Sequence, residues 1–215
     1  MPEHPEHLLI IFLKEPIEGK VKTRIGKTAG HEKAVQIYKS LVKTLLSQLA
    51  WVPDTHYRFC FAPADAEEAI KYWLLPDLNH RIDGGQVLPL DENTPKVDFI
   101  PQVNGDLGDR LEAAFKDGFD QGYKTVTAIG ADCPFLSARW IQTALISGKD
   151  HDVTIGPTPD GGYYLISLNQ FTSVPFRQIP WSEDDTFNVT LQKLNNAGLT
   201  THQLPELGDI DFEED

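Results

Sequence analysis

Apolar residues along the chain fall into short runs and helical stripes that alternate almost to the end. Leu8–Leu13 is a six-residue apolar run closed by Lys14-Glu15-Pro16, the signature of a strand buried on both faces of an α/β sheet. A polar loop follows. From His31 to Leu49, Val35, Tyr38, Leu41, Val42, Leu45, Leu46 and Leu49 recur at three- and four-residue spacing, which predicts an amphipathic helix. Tyr57–Ala62 reads as a second strand, and Asp65–Leu75 as a helix with Pro63 and Asp65 as its start signals. Residues 76–97 are rich in Pro, Asn, Asp and Gly without periodicity, and read as loop with room for one short strand.

Beyond that loop the alternation resumes. Phe99–Gln102 reads as a strand end. Asn104-Gly105 makes a turn, and Asp106 or Asp109 can cap a helix to Gly122 with Leu107, Leu111, Ala114, Phe115 and Phe119 on its apolar side. Thr125–Asp132 (TVTAIGAD) is the most strand-like run, stopped by Cys133-Pro134, with a helix from a Ser137 cap to Ser147. Asp152–Pro157 and Tyr163–Leu168 flank Thr158-Pro159-Asp160-Gly161-Gly162, a hairpin signal. A helix from an N-cap at Ser182 to Asn196 places Asp184 and Asp185 where its dipole favours them. Gly198 ends it, and Leu199–Leu204 is the last strand. This order predicts a three-layer α/β/α sandwich with a mainly parallel, mixed sheet, and 215 residues fit one large domain or two small ones.

Charge adds a direction. The protein has a formal net charge of -13, with 19 Lys and Arg against 32 Asp and Glu. That balance argues against nonspecific binding to nucleic acid or to an anionic membrane. Residues 1–50 nevertheless hold eight basic against five acidic residues, so an anionic small molecule is the ligand to expect there. No apolar run reaches the ~20 residues of a membrane span. The polar MPEHPEH start lacks a signal-peptide pattern, and the two cysteines, Cys60 and Cys133, sit far apart in apolar surroundings. Buried free thiols in a reducing cytoplasm are the expectation.

The chemistry concentrates in four stretches. The loop after the first strand carries Lys14, Gly19, Lys22, Thr23 and Arg24, cations and a glycine that read either as a phosphate cradle at the carboxyl end of a strand or as a solvated basic loop. Ile25-Gly26-Lys27-Thr28 looks like the close of a Walker A loop, but Val21 stands where its first glycine is required. Asp132 ends the central strand ahead of a Pro turn, where a carboxylate can either hold Mg²⁺ against phosphates or simply cap the turn. Asp160-Gly161-Gly162 is either a plain turn or a place where backbone approaches substrate. The tail PELGDIDFEED has six acids in eleven residues, and a solvated acidic run is its simplest reading. No H-E-x-x-H, G-x-S-x-G or G-x-G-x-x-G pattern is present.

These stretches carry a resemblance. K-x-P-x-x-G-x-x-K-T-R from Lys14 resembles the opening loop of nucleotide-diphospho-sugar transferase folds, closest to the bacterial domain of unknown function 2064, a glycosyltransferase-like family. It is also similar to molybdenum-cofactor and phospholactate guanylyltransferases. Ile25 replaces the usual Leu. Q-x-x-G-D-L-G-x-R-L, G-x-D-C-P-x-L and G-P-x-x-D-G-G-Y-Y-L-I extend the likeness, the last with Ser167 in place of a Gly. The resemblance implies a Rossmann-like fold of the glycosyltransferase-A type in one domain spanning 1–215, with Gln102, Gly105 and Asp106 approaching the nucleotide and Asp160, Gly161, Gly162 and Trp181 meeting substrate. It further implies that Asp132 and Asp211 hold Mg²⁺ or Mn²⁺, although Phe212 departs from the family's D-[IV]-D-T ending. The implied activity is a metal-dependent transferase using a nucleotide sugar and an unidentified small-molecule acceptor, with Asp132, Lys22 and Arg24 as catalytic residues. Nucleotidyl transfer from an NTP to a phosphorylated acceptor is the alternative, and a non-catalytic nucleotide-binding module the third reading.

Overall fold

The computed structural model describes residues 5–49, 52–78, 81–83, 86–88, 96–181 and 184–211. A seven-stranded sheet is its frame. In chain order the elements are β1 (His7–Lys14), α1 (Thr23–Ala29), α2 (His31–Leu49), β2 (Thr55–Ala62), α3 (Glu67–Leu78), β3 (Arg81–Asp83), β4 (Gln86–Leu88), β5 (Val97–Pro101), α4 (Leu107–Asp120), β6 (Thr125–Gly130), α5 (Ala138–Ser147), β7 (Val153–Pro157), β8 (Tyr163–Leu168), α6 (Thr186–Asn196) and β9 (Thr201–Gln203). The sheet order is β5-β2-β1-β6-β8-β7-β9, and β3-β4 form a separate antiparallel pair. Strand β8 alone runs against its neighbours, through the predicted hairpin with β7.

Alternation along β1 builds both faces. Leu9, Ile11 and Leu13 join Phe59 and Phe61 of β2 under α2, α3 and α5. Leu8 and Ile10 pack with Val126 and Ala128 of β6 under Leu111 and Phe115 of α4 and Leu194 of α6. Period-two side chains on buried strands thus give the three layers. The α4 face of β2 is polar at one point. Buried Arg58 grips Asp98 of β5 through Nε (3.0 Å) and Nη2 (2.9 Å), and reaches Asp117 (2.5 Å) and Gln121 (3.1 Å) on α4. Burial alone would raise the Asp98 pKa, but bonds from His56 and Arg58 outweigh it and bring it down to about 2.

Several local expectations differ from the structure. The loop after β1 contains a short helix, α1, too brief and polar to show periodicity. Helix α3 starts at Glu67, not Asp65, and runs through Pro76. Ser137 sits at the N-cap of α5 without a side-chain cap bond. Helix α6 starts at Thr186, with Asp185 at its N-cap, and the predicted cap at Ser182 lies outside the described residues.

Candidate functional site

Two parallel strands define the place. β1 is followed toward β2 and β5 on one side, whereas β6 lies on its other side. This is a switch point, where open α/β sheets bind ligands beyond the strands' carboxyl ends. Phe12 pairs with Gly130 in register, so the loop after Lys14 and the segment 130–132 leave the sheet side by side. A crevice of about 590 Å³ opens there, lined among others by Lys14, Lys20, Lys22, Thr23, Arg24, Gln102, Arg110, Asp132 and Asp211. That volume suits a small-molecule ligand.

Backbone bonds fix the loop: the Glu15 N–H donates to Ala62 O (2.8 Å) and the Lys14 N–H to the Tyr38 hydroxyl (2.9 Å). Lys22 is in the left-handed region (φ 42°) immediately before α1. Its ammonium, with a side chain only 4% exposed, donates to Asp132 Oδ2 (3.0 Å) and Asp211 Oδ1 (2.8 Å), and Arg24 Nη1 donates to Asp211 Oδ2 (2.6 Å). Burial would lower the Lys22 pKa; the two carboxylates overcome it and hold it above its ordinary value. Gly130 makes room for the Asp132 carboxylate, since a Cβ there would stand 2.9 Å from Oδ1.

The tail up to Asp211 is docked, in contrast to the solvated run that its composition suggests. Leu204 and Leu207 donate backbone bonds to Ile155 and Pro157 at the end of β7 (2.9 and 3.2 Å). The Tyr164 hydroxyl donates to Pro205 O (3.0 Å), and the Cys133 thiol to Gly208 O (3.4 Å). This strap carries Asp209 and Asp211 to the crevice. The Asp209 pKa is raised by burial first, then by Asp211, Asp160 and Asp132. Asp132 and Asp211 stand on either side of one ammonium, and Mg²⁺ takes one or two carboxylates together with substrate phosphates. Both residues are oxygen donors of the kind Mg²⁺ takes, and the Lys22 ammonium now offsets their charge. Glu6, His7 and Asp54 also converge, with ligand atoms within 4.8 Å, but at the amino ends of β1 and β2, and Glu6 is paired with Lys124.

Other sequence-selected residues fall into two groups. Gln102 is structural as well as crevice-lining: its Nε2 donates to Leu13 O (3.1 Å) and Cys60 O (2.8 Å), clamping the ends of β1 and β2. Gly105 and Asp106 do not line the crevice. Asp106 is spent in a capping box with Asp109 that starts α4, so helix capping accounts for its place. Gly19 adopts a positive φ of 71° in the loop, outside the lining. Arg110 was not singled out from the sequence, although it lies inside Q-x-x-G-D-L-G-x-R-L. Its Nη1 donates to Gln102 Oε1 (3.2 Å) and its Nε to Gly105 O (3.1 Å), which aims the guanidinium at the crevice. On the other side, Asp160, Gly162 and Trp181 line an adjoining cavity. Asp160 Oδ1 accepts bonds from the Thr158 hydroxyl (2.5 Å) and the Gly162 N–H (3.1 Å), so it also serves the turn. Gly161 (φ 84°) packs against Asp184, whose carbonyl oxygen would be 1.8 Å from a Cβ.

The sheet order, the crevice at the β1/β6 switch point and the acidic end of β6 define a nucleotide-diphospho-sugar transferase type of fold. The chain belongs to the family described as an uncharacterized protein conserved in bacteria, domain of unknown function 2064, whose profile matches residues 45–183. It is similar to a crystal structure from Desulfovibrio desulfuricans G20, provisionally described as a nucleotide-diphospho-sugar transferase. The two share 34% identity and a TM-score of 0.82 over 96% of this chain and 83% of that one. A 2-phospho-L-lactate guanylyltransferase of Methanocaldococcus sp. (strain FS406-22) is 29% identical over 104 residues, a match that spans 44% of this chain and only 44% of the relative. The 4-diphosphocytidyl-2C-methyl-D-erythritol synthase of Anaerococcus prevotii DSM 20548 shares the fold, with a TM-score of 0.58 and 11% identity over 97% of this chain and 93% of that one. Among the described residues no helix is long and apolar enough to cross a membrane.

Proposed function

We propose that the protein is a divalent-metal-dependent nucleotidyltransferase that takes its NMP from an NTP. The observation that carries this reading is the cationic wall of the crevice. Lys14, Lys20, Lys22, Arg24 and Arg110 line one cavity of an otherwise acidic protein, together with two carboxylates, Asp132 and Asp211. Such a wall matches a triphosphate better than the less charged diphosphate of a nucleotide sugar. The guanylyltransferase relative supports the same chemistry.

In the step, an acceptor oxygen bonds to the α-phosphorus and the bond from that phosphorus to the bridging oxygen breaks. Pyrophosphate leaves with the electron pair, and the acceptor's proton passes to solvent. Lys22 and Arg24 orient and neutralise the phosphates, which is electrostatic catalysis by preplaced charge. Arg110, held by Gln102, binds a further anionic oxygen. Asp132 and Asp211 would hold Mg²⁺ or Mn²⁺, which supplies charge neutralisation to the leaving group.

Glycosyl transfer from a nucleotide sugar is the second reading, favoured by the description of the 34% identical structure. Isothermal titration with the four NTPs and with UDP-glucose and GDP-mannose, each with and without Mg²⁺, separates the two. Metal-dependent binding of an NTP without a nucleotide sugar is expected; binding of a nucleotide sugar alone transfers the assignment to the second reading, and no binding of either removes both.

A further inference from the structure

The nucleotide crevice continues into a second cavity of about 440 Å³, and the two share Arg24, Leu107, Gly130, Asp132 and Asp211. The second lobe has close-packed walls. A Cβ on Gly108 would stand 2.2 Å from Phe176 O and 2.7 Å from Trp181 Nε1, so α4 lies directly against the loop that presents Trp181. In the hairpin turn Gly161 lies against Asp184, and the Gly161 carbonyl accepts the Phe187 N–H (2.8 Å) at the start of α6. The hairpin, α4 and α6 thus hold the cavity's shape.

Its lining differs sharply from that of the first lobe. Among the described residues, five carboxylates, Asp132, Asp160, Asp184, Asp209 and Asp211, line the second lobe with a single guanidinium, that of Arg24. Arg24 is already bonded to Asp211. Even with Lys22 and one divalent cation counted, the lobe remains negative. Beside the carboxylates stand the rings of Trp181 and Tyr163, edge to face at 6.2 Å. Carboxylates accept bonds from hydroxyl and ammonium groups and repel anions; aromatic faces take the C–H surface of a ring.

We propose that this lobe holds the acceptor, and that the acceptor is an uncharged or amine-bearing polyol rather than a phosphorylated compound. The proposal rests on the reading of the first lobe as the donor nucleotide site. The attacking atom is then a hydroxyl oxygen. It bonds to the α-phosphorus, pyrophosphate leaves into the cationic lobe, and the hydroxyl proton passes to a carboxylate of the acidic lobe. Charge separation between the lobes keeps donor and acceptor in order, since a phosphorylated acceptor would compete for the cationic wall instead.

Saturation-transfer NMR on the full chain with Mg²⁺ and α,β-methylene-GTP tests this, with glucose, glucosamine and glucose 1-phosphate as probes. Glucosamine or glucose is expected to bind at least tenfold more tightly than glucose 1-phosphate. Asp160→Asn/Asp184→Asn is expected to narrow that ratio at least tenfold, and Asp184→Asn alone, at an exposed residue outside the hairpin turn, to narrow it in part. Preference for glucose 1-phosphate, an unchanged ratio in folded variants, or no binding by any probe overturns the proposal. Titrating the nucleotide first separates the two readings. If it does not bind, the nucleotidyltransferase assignment falls; if it binds and the ratio is reversed or unchanged in the variants, the acceptor proposal alone falls.

Discussion

Replacing Lys22 by methionine keeps most of the side chain's bulk and removes its charge. Its ammonium lies 3.0 Å from Asp132 and 2.8 Å from Asp211. At an effective dielectric of ~20, each attraction is about 5–6 kcal/mol before desolvation. Desolvating an ammonium left 4% exposed offsets most of that. Asp132 and Asp211 are 42% and 29% exposed, so water can hydrate them once the ammonium is gone. The expected net cost to folding is therefore about 1–2 kcal/mol, below the value for a fully buried pair. The effect on metal runs the other way. Lys22 offsets the same two carboxylates that fit a divalent cation, so it competes with that cation when no nucleotide is present. Lys22→Met should tighten Mn²⁺ binding to the nucleotide-free protein about tenfold, roughly 1.4 kcal/mol, and weaken NTP binding by at least as much. Electron paramagnetic resonance of free Mn²⁺ reads the first effect, titration calorimetry the second, and urea unfolding the stability. Unchanged or weaker Mn²⁺ affinity in the folded variant would refute the idea that Lys22 stands in for the cation.

Two further outcomes follow from other parts of the fold. Asp98 has its pKa depressed to about 2 in the folded state, against ~3.9 when unfolded, so its contribution is complete above pH 4 and is lost as pH falls through 2. Asp98→Asn should cost about 2 kcal/mol in urea unfolding at pH 7, and the difference from the parent should shrink between pH 4 and pH 2; a pH-independent difference would detach it from the Arg58 ion pair. Gly161→Ala, at φ 84° and with a Cβ 1.8 Å from the Asp184 carbonyl oxygen, should lower Tm by several degrees on calorimetry and impair acceptor binding before nucleotide binding; an unaltered Tm would show that the hairpin is not packed as described.

Much of this architecture was legible because its signals are local. Helix α2 runs over His31–Leu49 as its periodicity predicts, since its apolar stripe repeats over nineteen residues. The β1, β6 and β8 runs are likewise set by burial, and the β7-β8 hairpin by its turn residues. Where the signal was not local, the sequence said less. Helix α1 has seven residues, too few for a period to emerge. The β3-β4 pair lies in a stretch whose composition reads as loop. Asp211 meets Lys22 across 189 positions, through a strap fixed by backbone bonds that leave no mark on side-chain identity. Composition alone makes that strap look like a solvated tail. Arg110 sat inside a recognised motif, but its role depends on Gln102 turning its amide toward the strand ends. Asp106, by contrast, carried a cap signal and a ligand signal at once, and the geometry assigns it to the cap.

The central claim is that Asp132, delivered by β6 beside the cationic loop, holds the divalent cation that nucleotide binding requires. Asp132→Asn removes one of the two carboxylates that pair with the buried Lys22 ammonium and leaves Asp211 in place, so the variant should fold with a modestly lowered Tm. Mn²⁺ paramagnetic resonance, run on both proteins with and without GTP, is the direct measurement. The account predicts that the variant loses Mn²⁺ binding by at least tenfold and that its residual GTP binding no longer responds to metal. A folded Asp132→Asn protein that keeps its Mn²⁺ affinity and its metal-dependent GTP binding would contradict it.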